Sequence, residues 1–272
     1  MRRSLTFMSV IILFTIMACT EKNTFEFTDL PVIESYLSPG EHPLVKISRQ
    51  IPFDSSAVFS GDDVNSLEIR IINNNNVFVL TSLGDGKYID STLVIKAGER
   101  YDLTFRYNSM TVSAYTTIPS KPVNFTGSSS TVSVMNMGNM SGPPTGGWQE
   151  MVPLDLKWNN EDGSYYIVVV ENYEKKLSPI RDFGGNEPIG LGRFRKMPVI
   201  SSGIEIRPME FRYFGKHHII LNHVLPDYAS LYNETSTSSQ NLTNPSSSII
   251  NGYGIFTGLN SDTIDIVVRS LK

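Results

Sequence analysis

The segment Tyr101–Tyr107, "YDLTFRY", sets Tyr101, Leu103, Phe105 and Tyr107 at alternate positions, with Asp102, Thr104 and Arg106 between them. Successive side chains of an extended strand point to opposite faces, so this alternation describes a strand buried on one side and wet on the other. "SLEIRII" repeats the pattern through Leu67, Ile69 and Ile71. The run Asn73 to Asn76 separates it from "VFVLT", and asparagine tolerates the positive φ of tight turns, so a hairpin is expected there. "GDG", residues 84–86, predicts a second turn before "KYID". Short strands with turn signals at close intervals and no helical periodicity predict that residues 29–119 form a β-sandwich of immunoglobulin-like architecture. The cysteines and core tryptophan of an antibody domain are missing, so the likeness is architectural only.

Two prolines in "TTIPSKP", residues 116–122, end this series and extend the chain. From Thr126 to Gly147 the composition shifts to Ser, Gly, Asn, Pro and Met with almost no apolar periodicity, so residues 120–148 are expected to be a variable, mobile loop or linker. Residues 149–272 form a second β-rich domain in this reading. "VPLDLKW" and "SYYIVVVEN" flank "NNEDG", a hairpin signal, and "GIEIRPMEFRYF" and "KHHIILNHV" continue the strand series. In "LPDYASLYNE", Pro226 can open a helix, and Tyr228, Leu231 and Tyr232 fall at i, i+3 and i+4, so one short helix is predicted. "GYGIF" and "DTIDIVVRS" are expected as closing strands. The fold class expected is therefore mainly β.

The amino terminus carries a different signal. Arg2 and Arg3 precede an apolar core from Phe7 to Ala18, the layout of an export signal. Twelve helical residues cover about 18 Å, whereas a bilayer core needs about 30 Å, so the run is too short to remain as a span. The chain's single cysteine, Cys19, stands directly after it. "IMAC" resembles a lipobox, with cleavage between Ala18 and Cys19 and lipid attached to the Cys19 thiol. Each buried CH₂ contributes about 0.8 kcal/mol, and more than one acyl chain makes a stable anchor. Residues 1–18 are then a removed lipoprotein signal peptide, and residues 19–28 a lipidated polar tether. At about 3.3–3.6 Å per residue that tether keeps the first domain within roughly 30 Å of the bilayer.

Removal of residues 1–18 takes two arginines from 23 basic residues against 27 acidic ones, which leaves a net charge of about −6. That balance argues against a nucleic-acid partner, which needs clustered cations. With Cys19 acylated no disulfide is possible, so core burial must hold the chain together.

The lipobox, "PVIESYLSPGEHPLVKISRQIPF", "GERYDLTF" leading to "TTIPSKPV", and "NPSSSIINGYGIFTGL" together resemble the domain of unknown function 4249 family, outer-membrane lipoproteins whose genes often accompany TonB-dependent receptors. The resemblance covers essentially the whole mature chain, and its most specific portion beside the amino-terminal block is "NGYGIF". It implies a lipid-anchored outer-membrane protein, a non-catalytic accessory subunit beside a TonB-dependent receptor barrel that assists nutrient capture. The family has no established catalytic residues, so no site position follows from it. An autonomous glycan- or peptide-binding surface lipoprotein is the alternative, and an unrecognised hydrolase a further one.

The candidate chemistry in the chain is sparse. His217, His218 and His223 are potential metal ligands, but on a strand His217 and His223 share a face about 20 Å apart and His218 points away, so no metal is expected there. Met135, Met137 and Met140 offer thioethers suited to Cu(I), without a His or Cys beside them. No cofactor is expected. "GLGRFRK" has glycines before Arg193, Arg195 and Lys196, but Pro198 and "VISSGIEI" beyond it predict strand rather than the helix a phosphate loop requires. A basic surface for a partner or an anionic ligand fits these residues better. G-x-S-x-G, H-E-x-x-H and S-x-x-K are absent, and no catalytic residue is assigned. Trp148, Trp158, Tyr165 and Tyr166 cluster early in the second domain, where core burial is the expected role for most. Asp90-Ser91-Thr92 and Asp262-Thr263-Ile264 resemble a bacterial O-glycosylation acceptor.

Overall fold

A computed structural model of the chain describes residues 29–50, 64–136, 151–181, 192–234 and 248–271. Ala18, Cys19 and the tether lie outside the described residues, as do Met137, Met140, Trp148 and Gly190. The protein is mainly β, with one α-helix among the described residues. Its first half supplies β1 (Pro31–Leu37), β2 (Leu44–Arg49), β3 (Arg70–Asn73), β4 (Asn76–Val79), β5 (Thr81–Gly84), β6 (Lys87–Ile89), β7 (Arg100–Tyr107) and β8 (Met110–Thr117). In β7 Tyr101, Leu103, Phe105 and Tyr107 are all buried, as the alternation requires. The Asn73–Asn76 hairpin forms, with Asn74 and Asn75 at φ 47° and 65°, the left-handed pair that a two-residue hairpin turn demands. Asp85 and Gly86 make the second turn at φ 51° and 68°.

The second half supplies β9 (Thr126–Gly127), β10 (Thr131–Val134), β11 (Leu154–Lys157), β12 (Tyr165–Asn172), β13 (Ser178–Pro179), β14 (Arg193–Arg195), β15 (Gly203–Ile206), β16 (Tyr213–Val224), helix α1 (Pro226–Glu234) and β17 (Tyr253–Ser270). Three sequence expectations change here. Residues 126–134, expected within a mobile loop, include β9 and β10, because Val132 and Val134 alternate into the core and β10 pairs in parallel with β17. "VPLDLKW" and "SYYIVVVEN" do not form a hairpin with each other. β11 pairs with β15 and β9, whereas β12 pairs with β14 and β16, and Asn160 holds the corner between the two sheets through Ser164 and the Ile200 carbonyl. "GYGIF" and "DTIDIVVRS" are one strand of 18 residues, β17, whose pairing with β16 runs unbroken across the turn-like Asn260-Ser261-Asp262.

β17 organises the whole molecule. Its first half lies parallel to β1, from Val32 opposite Tyr253 to Leu37 opposite Gly258, and its second half lies antiparallel to β16. The result is a sheet with the path β14-β12-β16-β17-β1-β2-β6-β5. A sheet of order β4-β3-β7-β8 covers one end and a sheet of order β15-β11-β9 covers the other. Between the layers lie two cores: one holds Ile33, Leu37, Tyr101 and Leu103, and the other holds Leu156, Trp158, Val168 and Leu221. Ile249 and Phe256 belong to the first core, so the amino-terminal unit is completed by residues from the far end of the chain.

The entry of β17 depends on glycine. Gly254 sits at φ 99°, and a Cβ there would stand 2.0 Å from the Ile33 carbonyl oxygen. Only a residue without a side chain allows β17 to approach β1 this closely. Tyrosines buried in the first core have their hydroxyls satisfied: Tyr101 accepts from the Lys96 N–H at 2.9 Å and Tyr88 from the Leu67 N–H at 2.9 Å.

Candidate functional site

The long sheet has a second face, away from both cores. On β12, Tyr166, Val168 and Val170 enter the second core, whereas Ile167 and Val169 face the other way. Ile220 and Asn222 on β16 and Leu259 on β17 share that outer face. Helix α1 lies over part of it and presses Tyr228, Leu231 and Tyr232 onto the strands. The helix forms where Pro226 opens it, and Asp227 ties it to the sheet by accepting the Thr257 hydroxyl proton at 2.9 Å.

Beside α1 the outer face remains open as a groove of about 660 Å³. Ile167, Val169, Leu259 and Asn222 make its floor. One wall is aromatic: the Tyr36 ring on β1 meets Tyr228 edge-on at 5.4 Å, and Tyr228 meets Tyr232 at 5.7 Å and 89°. The Tyr228 and Tyr232 hydroxyls lie 3.3 Å apart. Burial raises the Tyr228 phenol above its ordinary range, with the neighbouring Tyr232 adding to the shift, and burial followed by the Glu34 charge raises Tyr36. These phenols are therefore neutral hydrogen-bonding groups at physiological pH.

The opposite wall is β14. Alternation along "RFRK" turns Arg193 and Arg195 to the groove and Lys196 away from it, where Lys196 forms an ion pair with Glu210 beside a second cavity of about 450 Å³. Arg195 lies over the Tyr232 ring at 4.7 Å, a cation–π contact that holds the guanidinium at this wall. Arg193 and Arg195 are the charged side chains that line the groove, and neither forms an ion pair with a carboxylate among the described residues. Glu171 stands opposite Arg193 in the β12–β14 ladder without ion-pair contact.

The family model for a domain of unknown function, DUF4249, matches residues 20–265. The chain belongs to the DUF4249 family. No curated protein matches the chain. The span matched by the DUF4249 model includes Tyr36 on β1, Arg193 and Arg195 on β14, Tyr228 and Tyr232 on α1, and Leu259 on β17, so the groove residues of this member all lie within it.

The remaining sequence candidates are dispersed. His217 and His223 fall on the buried face of β16, His217 against Phe211 at 5.3 Å and His223 stacked on Tyr166 at 4.8 Å. His218 is on the other face, stacked on Tyr173 at 3.9 Å and 2.6 Å from Asp265. Burial lowers the His217 pKa. Among the described residues no group of three His, Cys, Asp or Glu side chains is placed to hold one metal ion. Trp158 and Tyr166 are core residues, and Met135 is separated by sequence from all groove residues. Asp90 accepts from the Thr92 N–H, the Thr92 hydroxyl and the Leu93 N–H at 2.7 Å each, which closes a turn with Ser91 and Thr92 exposed. Thr263 is exposed within β17. Sequence reading singled out Arg193 and Arg195 as a basic surface but gave Tyr228 and Tyr232 only a helix-packing role and passed over Tyr36. The signal for Tyr36 was its place on the polar face of "VIESYL", two residues from Glu34, where an aromatic has no core to enter.

Proposed function

We propose that this protein is a non-catalytic, lipid-anchored binding subunit of the outer membrane that assists nutrient capture as the accessory partner of a TonB-dependent receptor barrel. The observation that carries the binding part is the groove, in which an aromatic wall and two arginines without carboxylate partners among the described residues converge over an apolar floor. A cleft that joins apolar surface to a few directed polar groups is the usual form of a ligand site. The anchor reading is supported by "IMAC" and the short polar segment after it, which with lipid on Cys19 would keep the folded region near the bilayer, where a barrel partner would lie.

The experiment is extraction of the full-length protein in mild detergent followed by affinity isolation. Stoichiometric co-purification with a large barrel protein is expected, and a monodisperse free pool would overturn the accessory reading. Cys19→Ala should release the protein from the membrane fraction, and continued membrane retention would remove the anchor. The groove lies wholly within this chain, which supports a second reading as an autonomous binding lipoprotein. That reading is favoured if ligand binding persists while no barrel co-purifies.

A further inference from the structure

The groove's chemistry also narrows what it can hold, an argument that rests on the binding reading above. Its floor of Ile167, Val169 and Leu259 offers no hydrogen bond, and the Asn222 amide donates its N–H to the Ile167 carbonyl at 3.3 Å. A polar face turned to that floor would lose its water without replacement, since the groove's hydrogen-bonding groups stand on the tyrosine and arginine walls and at Asn222. An apolar body gains chiefly at the wall, where Tyr36, still 40% exposed, has area left to cover.

At the β14 wall the requirement reverses. Arg193 and Arg195 are two residues apart on one strand face, so their Cα atoms are separated by about 6.6 Å and both guanidiniums can reach one anion. Arginine stays charged at any physiological pH, and a cation beside apolar walls is best satisfied by a hydrogen-bonded counter-ion. The contact with Tyr232 uses the π face of the ring and consumes none of the Arg195 N–H donors, which suit the two oxygens of a carboxylate. The third cation of the segment, Lys196, already has Glu210. Glu171, opposite Arg193 in the ladder, and Glu34, two residues from Tyr36, do not line the groove.

We propose that the groove binds a small organic anion, a carboxylate carried on an apolar body, with Arg193 and Arg195 holding the carboxylate and the Tyr36–Tyr228–Tyr232 wall taking the apolar part. A volume of about 660 Å³ accommodates a body of dipeptide size. Such a group occurs at the free carboxy terminus of a short peptide and in a simple aryl-alkyl acid.

The test is isothermal titration calorimetry on the full-length protein in detergent. The probes are N-acetyl-Leu-Phe as the free acid, the same dipeptide as its carboxy-terminal amide, 4-phenylbutyrate, and digalacturonate as an acid without an apolar body. The free acid should bind at least about tenfold more tightly than the amide, since a charge-assisted pair is lost. Phenylbutyrate binding as well as the dipeptide acid would show that carboxylate and ring suffice, whereas preference for the dipeptide would assign the site to peptide termini. Arg193→Gln and Arg195→Gln should each weaken the acid about tenfold or more, while Arg106→Gln, on exposed β7 surface, should not. Equal binding of acid and amide, stronger binding of digalacturonate, or no binding of either apolar acid would overturn the proposal. The acid–amide comparison needs no variant, so a folding defect in an arginine variant leaves it decisive. Because none of these titrations requires a barrel, their failure is separable from a failure of co-purification.

Discussion

The two faces of the long sheet, followed along β12, are built from similar residues and have different fates. Tyr166, Val168 and Val170 enter a core closed by a second sheet, so their apolar surface is spent on holding the layers together. Ile167 and Val169 are buried too, at 2% and 6% exposure, but what covers them is a single short helix and the side chains beside it, and with Leu259 they form the groove floor. The two faces of one strand therefore differ in what stands over them: a second sheet on the inner face, and on the outer face a helix and a tyrosine wall whose Tyr36, 40% exposed, still has area that a ligand can cover. The contrast predicts that inner-face changes cost stability and that changes on the β14 wall cost recognition.

The largest effect is expected at Phe256, which is fully buried in the first core although it comes from the last strand. Phe256→Ala should cost about 3–5 kcal/mol in denaturant unfolding. A loss below about 1 kcal/mol would mean that β17 does not complete the amino-terminal unit. Gly254→Ala probes the same junction through the backbone. The φ of 99° costs a residue with a side chain roughly 1–3 kcal/mol, and the 2.0 Å approach to the Ile33 oxygen adds a clash of similar size. Unchanged stability in that variant would break the parallel β1–β17 register on which the sheet depends.

How much of this was legible in the sequence follows from the range of each interaction. Alternation in "YDLTFRY", the Asn73–Asn76 turn and the helix at Pro226 are local, and the structure contains all three. Pairing partners are not local. The hairpin expected across "NNEDG" fails because a turn signal states that the chain reverses, not which sheet each arm joins. β10 was hidden because "TVSV" is four residues long amid Ser and Gly, and its partner Val267–Ser270 lies over 130 residues away. The groove was hidden for the same reason: Tyr36, Arg195 and Tyr232 meet only after β1, β14 and α1 have been placed against β17.

A smaller effect concerns pH. His217 is held on the inner face with its Nδ1 3.0 Å from the Gly215 carbonyl, Asn172 at 3.3 Å and Phe211 against its ring, and Glu174 is the nearby charge. Burial, the dominant cause, lowers its pKa below the ordinary 6.5, although the Gly215 hydrogen bond and Glu174 oppose the shift. Between the lowered folded value and about 6.5 the unfolded chain binds more protons, so stability falls as pH drops through that window and levels off below it. His217→Gln should remove this contribution, so the stability difference between wild type and variant should shrink on acidification from pH 7.5. A constant difference would mean that His217 has the same pKa in the folded and unfolded chains, and a difference that grows on acidification would mean that the fold favours its charged form.

The smallest stability effect is expected at the groove wall, and there the contrast between the faces is sharpest. Arg195→Gln removes the contact with Tyr232 from an exposed strand, a loss of about 0.5–1 kcal/mol measurable as a small shift in the denaturant midpoint. Set against Phe256→Ala, this is a several-fold smaller cost in folding for a residue that faces the open side of the sheet. If the groove were merely an imperfectly covered core, truncating its wall would cost as much stability as truncating the inner face. A stability loss at Arg195 equal to that at Phe256 would therefore erase the distinction between the faces. A small loss, joined to the tenfold drop in carboxylate affinity, would show that this wall is kept for what it holds rather than for what it packs against.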